Sequence, residues 1–480
     1  MSDGAVLDLV SRGKKDAYFI QGATQGLFGS RWMPRSPSTR EIRTEYPFSP
    51  ARFGHWVDID LPRVGDMLMS ADIHIQMPTW LPPAVAALNL THDVGIANPA
   101  ADAAVPAGTC TYGWTNGIAN FLFNRWSLFL DNIELQQGWG EYNDWQPDSE
   151  TTQMRAPLLH HSTGSHDGSD QSIQRNATPP ELVFRVPIVG CQGQEDTGLP
   201  LAAFRGQRLY LRLWTLSLEQ CVESGVVTYS PDPLTVPQGT PLYPIYQVCP
   251  APWGGLPIYV DDVLSSEVTL QKHEIAHPII YGRYAVLHLD AEMKEELRTA
   301  EHAILYKQQL RQDFVVEEAD LRNGSSIKQR LEITGLFQRL ILGFISLARF
   351  KQNKYRDINP TMTFDGLNGS WLTAFSLIVN SQERILPWPT KTFQELAQNT
   401  QLMRDVERDL YFVVFGVSPD AEPGGPCNLA RTQKVLLSLT LAINPVDPAV
   451  DSRQAFGAVM GEAWNIMDIK DGVARLRFVD

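Results

Sequence analysis

The residues best suited to chemistry are His273, Glu274 and His277, which stand in the order "HEIAH". That is the H-E-x-x-H spacing of zinc metalloproteases. On a helix, histidines four residues apart share a face and hold the metal, while the glutamate activates water. The neighbours argue for another geometry. Pro278 follows at once and stops any helix, and the preceding "SSEVTLQK" is β-branched and alternating. In a strand, residues four apart share a face but lie ~13 Å apart, too far for one ion. The extended reading leaves these side chains without a metal; the metalloprotease stays as the enzymatic alternative.

Other polar groups have plainer readings. His160, His161, His166 and Asp167 crowd a loop rich in Ser and Gly, which suits a polar surface as well as a metal. His55 and His74 lack the dense His/Glu spacing of a metal-binding cupin and read as polar-face residues. Four N-x-S/T sequons, at Asn89, Asn176, Asn323 and Asn368, would accept glycans in a secreted protein. No leader with a long apolar core precedes them, because Asp8 interrupts the short apolar run near the N-terminus. The chain is expected to be soluble and made in the cytosol, with no catalytic, cofactor-binding or metal-binding residue and no cofactor.

The elements that would position these groups are mostly strands. "HWVDIDL" sets Val57, Ile59 and Leu61 opposite Trp56, Asp58 and Asp60; "DIHIQM" sets Ile73, Ile75 and Met77 on one face. "NFLFNRWSLFLDNIEL", "ELVFRVPIV", "RLYLRLWTLSL", "RYAVLHL", "KQRLEIT", "QRLILGFISL" and "LTAFSLIVN" continue the style. Tyr411–Ile443 holds two apolar runs around a loop with Pro423, Gly424, Gly425 and Pro426. Val435, Leu437, Leu439 and Leu441 alternate after it. Residues 78–119 are rich in Pro and Ala without period and read as an exposed excursion. Residues 230–257 are dense in proline and read as an inter-domain connector. One segment, 290–310, reads as a helix capped by Asp290, with Glu292, Glu295 and Glu296 in its first turns.

The 480 residues carry 40 Lys plus Arg against 54 Asp plus Glu, a net charge of −14. That is a poor match to direct nucleic-acid binding, which needs basic patches. Five scattered cysteines form no CxxC pair and suit a reducing compartment. "GLFQRLILGFISLA" is too short, and with Gln338 and Arg339 too polar, to span a bilayer. Two blocks of about eight strands suggest two β-sandwiches in tandem.

Five stretches carry a resemblance to a known family. They are "GAVLDLVSRGKKDAYF", "LPRVGDMLMSADIHIQMP", "YGWTNGIANFLFNRWSLFLDNIELQQGWGEYNDW", "AVLHLDAEMKEELRTAEHAILYKQQL" and "FGVSPDAEPGGPCNLARTQKVLLSLTL". In this order they resemble the double jelly-roll major capsid proteins of nucleocytoplasmic large DNA viruses, of the iridovirus and phycodnavirus kind. Departures are "ELQQ" at Glu134–Gln137, where Gly-Gly-Gln is common, and "GGPCNLAR", where Ser and Phe are usual; they leave room for a minor capsid paralog.

The resemblance implies an all-β fold of two tandem eight-stranded jelly rolls, with long loops and a short helix opening the second roll. It implies an N-terminal arm over residues 1–30, a first roll over 31–255 and a second over 256–480. It further implies a structural capsid protein, not an enzyme, whose trimers form pseudo-hexameric capsomers that tile an icosahedral shell. Expected partners are further copies of the chain, minor capsid and penton proteins, and an inner membrane only through other proteins. The expected location is the virion capsid, assembled in the host cytoplasm.

Overall fold

The computed structural model describes residues 38–78, 111–150, 161–165, 179, 181–191, 198–204, 206–225, 277–346, 350, 353–358, 370–390, 408–415, 427–429, 434–442 and 455–478. The architecture is two sandwiches of antiparallel sheets. In the first, sheet A has the order β1-β10-β3-β7, built from β1 (Ser38–Glu45), β3 (Met67–Gln76), β7 (Leu182–Arg185) and β10 (Ile279–Leu289). Sheet B has the order β2-β8-β5-β6, from β2 (Trp56–Asp60), β5 (Phe123–Leu130), β6 (Ile133–Gly138) and β8 (Leu209–Thr215). A small ladder joins β4 (Thr111–Trp114) to β9 (Val222–Gly225).

In the second sandwich, sheet C has the order β11-β19-β13-β16, from β11 (His302–Val316), β13 (Leu336–Ser346), β16 (Tyr411–Val414) and β19 (Ala455–Lys470). The short β17 (Cys427–Asn428) pairs with β13, and β20 (Val473–Leu476) with β19. Sheet D has the order β12-β18-β14-β15, from β12 (Ser326–Leu331), β14 (Leu372–Val379), β15 (Gln382–Pro389) and β18 (Val435–Leu441).

Counting only these eight sheet strands within each sandwich, sheets A and C both have the chain order 1-8-3-6, and sheets B and D both have 2-7-4-5. Each unit is a jelly roll, and the second repeats the topology of the first. β10 lies past residue 255, yet it fills the eighth-strand position of the first roll, between β1 and β3. The proline-dense stretch before it therefore connects strands of one roll and is not a connector between domains. Likewise β16 and β18 lie in different sheets. The Pro-Gly-Gly-Pro residues between them lie outside the described residues, and Cys427–Asn428, which follow, pair with Leu336–Phe337 of β13.

Each core forms because alternate side chains of two facing sheets meet. In the first roll, Leu68, Ile73, Ile75 and Phe184 of sheet A pack with Val57, Ile59, Leu128, Leu211 and Leu213 of sheet B. In the second, Phe337, Leu340, Leu342 and Tyr411 pack with Phe375, Leu377, Leu437 and Leu439. The hairpin β14–β15 turns on Asn380 (φ 50°) and Ser381 (φ 68°), and β19–β20 on Asp471 (φ 54°) and Gly472 (φ 84°). Two consecutive positive φ values match the right-handed strand twist and close a two-residue hairpin.

The helical expectation for 290–310 is half right. Asp290 Oδ1 accepts from Met293 N at 3.0 Å, and helix Ala291–Thr299 follows. From His302 onward the chain is β11, paired with β19 through Val316. Long-range pairing here overrides a local helical preference. Of residues 78–119, expected as an exposed loop, Thr111–Trp114 form β4, and Trp114, Ile118 and Ala119 are buried; 79–110 lie outside the described residues.

Candidate functional site: the junction between the rolls

Helix α1 (Ile118–Phe121) and helix α2 (Gly140–Glu150) belong to the first roll, and α2 follows β6 directly. Its "EYNDWQPDSE" is polar and contains Pro147, so no apolar stripe advertises it. Its two large rings, Tyr142 and Trp145, are three residues apart and so share a face. They pack with Ile341, Ile358, Leu410, Phe412, Ala458 and Met460, on the side of sheet C away from its own core. Gly343 permits the approach: a Cβ there would lie 2.6 Å from the Trp145 ring.

Charged groups are buried beside this cluster. Arg339 and Glu462 are cross-strand partners on β13 and β19, and both side chains are fully buried. Arg339 Nε donates to Glu462 Oε1 at 3.0 Å, Tyr142 Oη donates to the same oxygen, and Lys307 Nζ stands 3.6 Å from Oε2. Burial alone would push the Glu462 carboxyl up; Arg339 and Lys307, with the bonds from Arg339 and Tyr142, outweigh it and hold the pKa below the usual range.

Asp144 of α2 receives Arg408, whose Nη2 also donates to the Asp144 carbonyl at 2.6 Å, and Arg356 at 3.3 Å. Here too burial works upward, and the two arginines outweigh it, lowering the pKa. Glu141 pairs with Arg311 at 2.7 Å, but its burial dominates and its pKa is raised. Trp139 N donates to Gln309 Oε1 at 3.1 Å, tying the end of β6 to β11. A cleft of about 510 Å³ opens next to α2, lined by Phe121, Trp145, Phe344, Phe350 and Tyr355, with Glu141 and Arg311.

This arrangement locks two rolls together rather than activating a nucleophile. Every carboxylate in it is held by arginine. Burial pushes the Cys191 thiol up to about 12 and also raises that of Cys221. Among the described residues no three His, Cys, Asp or Glu side chains gather in a way that could hold a metal ion. Of "HEIAH", only His277 is described; it is exposed, with its ring 6.1 Å from that of Phe53. His273, Glu274, His160, His166 and Asp167 lie outside the described residues. His161 is exposed. His74 sits on the outer face of β3, 3.0 Å from Glu181 and stacked on Tyr281.

Reading the sequence missed most of this junction. Arg339 stood out as a charge in an apolar run, and the signal that would have completed it is Glu462, alone in "AFGAVMGEAWNIM". Two isolated opposite charges in two apolar strands suggest a buried pair.

No protein-family model matches the sequence, and the curated proteins contain no match. Solved structures do match over nearly the whole chain. The PBCV-1 virus capsid model is 14% identical with a TM-score of 0.64, covering 95% of this chain and 100% of that one. The Faustovirus major capsid protein is 8% identical, with a TM-score of 0.57 and 93% of each chain covered. The cryo-EM structure of the Sputnik virophage gives 9%, 0.51, and 96% and 92% coverage. At these identities the likeness is one of fold: this chain has the double jelly-roll architecture that the sequence motifs led one to expect.

Proposed function

We propose that the chain is a structural capsid protein, whose trimers present six jelly rolls in a pseudo-hexagonal ring and tile an icosahedral shell. The observation that supports this best is the agreement over both rolls with capsid proteins of large DNA viruses and a virophage. The internal repeat adds a physical reason. Two rolls of one topology, joined by a buried junction, give a chain two like blocks, and heterologous contacts between such chains close into a ring. Three chains fill six positions. We place the division between the rolls after Leu289, where the eighth strand of the first roll ends.

In this reading the chain does no covalent chemistry, binds no cofactor or metal, and acts through its edges and faces. The acidic balance of −14 fits a shell that does not touch nucleic acid directly. Partners are further copies of itself, minor capsid and penton proteins, and an inner membrane through other proteins; assembly takes place in the host cytoplasm. A second reading, a minor capsid paralog of the same fold, draws on the "ELQQ" and "GGPCNLAR" departures. Copy number per purified particle, measured by quantitative mass spectrometry, separates the two. Thousands of copies establish the main shell protein, dozens establish the minor role, and absence from particles overturns both.

A further inference from the structure

The cleft beside α2 carries more chemistry on its wall than a junction between rolls requires. Its volume of about 510 Å³ is that of a pocket able to enclose a small molecule. Both rolls build it. Phe123, Glu141 and Trp145 come from the first, and Arg311, Phe314 and Phe344 from the second. Phe123, Trp145, Phe314 and Phe344 are buried. Phe350 on the same wall is 42% exposed and marks the open side. Its ring makes edge-to-face contacts with Tyr355 at 5.6 Å and Phe456 at 5.2 Å. Phe121 extends the row, 5.5 Å from Tyr355. The face of an aromatic ring is electron-rich and attracts a cation, most strongly where water is excluded.

The charged groups of the wall favour the same kind of ligand. They are Glu141, Asp313 and Arg311. Arg311 Nη1 lies 2.7 Å from Glu141, and its Nε donates to Asp313 at 2.8 Å. One guanidinium thus serves two carboxylates, and the wall is one positive charge short. Asp144, Arg356 and Arg408 form their own cluster off this wall. Trp145 adds a need that is independent of charge. Its indole Nε1 is buried and has no acceptor among the described residues. A buried donor without a partner is costly, and a ligand that brings an acceptor removes the cost.

We propose that the cleft binds a small organic cation: an ammonium group on an aromatic or apolar body that also carries a hydrogen-bond acceptor. The ammonium supplies the charge that Glu141 and Asp313 lack, the body lies among the rings, and the acceptor takes the Trp145 N–H. The site goes beyond the capsid reading and does not depend on it. Because its wall comes from both rolls, an occupant fastens one to the other and raises the unfolding midpoint of the chain.

The test uses the full chain and para-methoxyphenethylammonium, which has an ammonium, a ring and an ether oxygen. Its neutral and anionic analogues are para-methoxyphenethyl alcohol and para-methoxyhydrocinnamate. Saturation-transfer NMR titrations give the affinities. The cation is expected to bind with a Kd of about 1 mM or tighter. The alcohol should be about fivefold weaker and the carboxylate weaker by about tenfold or more. Glu141→Gln should bring the cation to within about twofold of the alcohol. Phe350→Ala, a change at the open side that the fold tolerates, should weaken the cation about threefold or more. Circular dichroism checks that both variants fold; if Glu141→Gln does not, Phe350→Ala and the three probes still decide. Equal affinity for the three probes, no binding of the cation at about 5 mM, or unchanged cation affinity in folded Phe350→Ala overturns the assignment. None of these results touches the capsid reading.

Discussion

Sheets A and C hold corresponding positions in two rolls of one topology, yet their strands bury side chains differently. β3 of sheet A alternates: Leu68, Ala71, Ile73 and Ile75 are buried, and Asp72 and His74 between the last three are not. β13 of sheet C is buried almost continuously from Phe337 to Phe344, and β19 nearly so from Gly457 to Ala463. One fold thus supports either pattern. What decides is whether a second layer lies on the outer face. A sheet covered on both sides reads as an unbroken apolar run, and one covered on a single side alternates. A charge inside the unbroken run must then bring its own counter-charge, as Arg339 and Glu462 do.

The largest expected effect comes from breaking that pair. Glu462→Ala leaves Arg339 buried without its carboxylate and should destabilise the chain by about 3–5 kcal/mol. Chemical denaturation followed by tryptophan fluorescence measures it. Loss of under about 1 kcal/mol, the range for exposed pairs, would mean that sheet C is no more closed than sheet A.

Next is the close approach of the two rolls. Gly343→Val drives a branched side chain into the Trp145 ring, since even a Cβ would lie at 2.6 Å. The expected loss is about 1–3 kcal/mol, with a change in the emission of Trp145. An unchanged unfolding midpoint would mean that α2 does not sit on β13 as described.

A third test concerns pH. The folded pKa of Asp144 is below its ordinary value, so its contribution is present above about pH 4 and is lost as pH falls through the folded pKa. Glu141 works in the opposite sense. Its raised pKa means that the fold keeps a proton the unfolded chain has released, so stability falls as pH rises from the usual value to the raised one. Comparing the parent with Asp144→Asn isolates the Asp144 charge, including its own part in raising the Glu141 pKa. The parent's advantage at pH 7 should shrink as the pH is lowered below about 4, measured by urea denaturation at each pH. An advantage that does not change with pH would show that Asp144 is not held ionised by Arg408 and Arg356.

The smallest effect is expected on sheet A. Arg185 pairs with Asp72 at 2.9 Å but its side chain is 77% exposed. Arg185→Ala should change the stability of the isolated chain by under about 1 kcal/mol. A loss as large as that of Glu462→Ala would erase the contrast between the sheets.

Much of the fold was legible where one face of a strand meets water. β2, β3, β8 and β18 alternate cleanly, and Asp290 announced its helix. Legibility failed where burial is two-sided or contacts are distant. β19, the central strand of sheet C, went unread because Gly457, Gly461 and Glu462 look like interruptions. In the fold Gly461 makes room for the Phe337 ring, and Glu462 has Arg339. β11 hid inside an apparent helix, since its pairing with β19 is a contact more than a hundred residues away. α2 hid because only Tyr142 and Trp145 of its residues are large and apolar. The repeat itself was visible only as two blocks of strands. Its order 1-8-3-6 and 2-7-4-5 is a property of pairing, which local pattern does not encode.

The most direct test of the whole account is the mass of the purified full-length chain by light scattering across concentration. A trimer, about three times the 53.7 kDa chain mass, is the predicted result, because two rolls per chain need three chains to fill a six-position ring. A particle that stays at the mass of one chain at every concentration would contradict it.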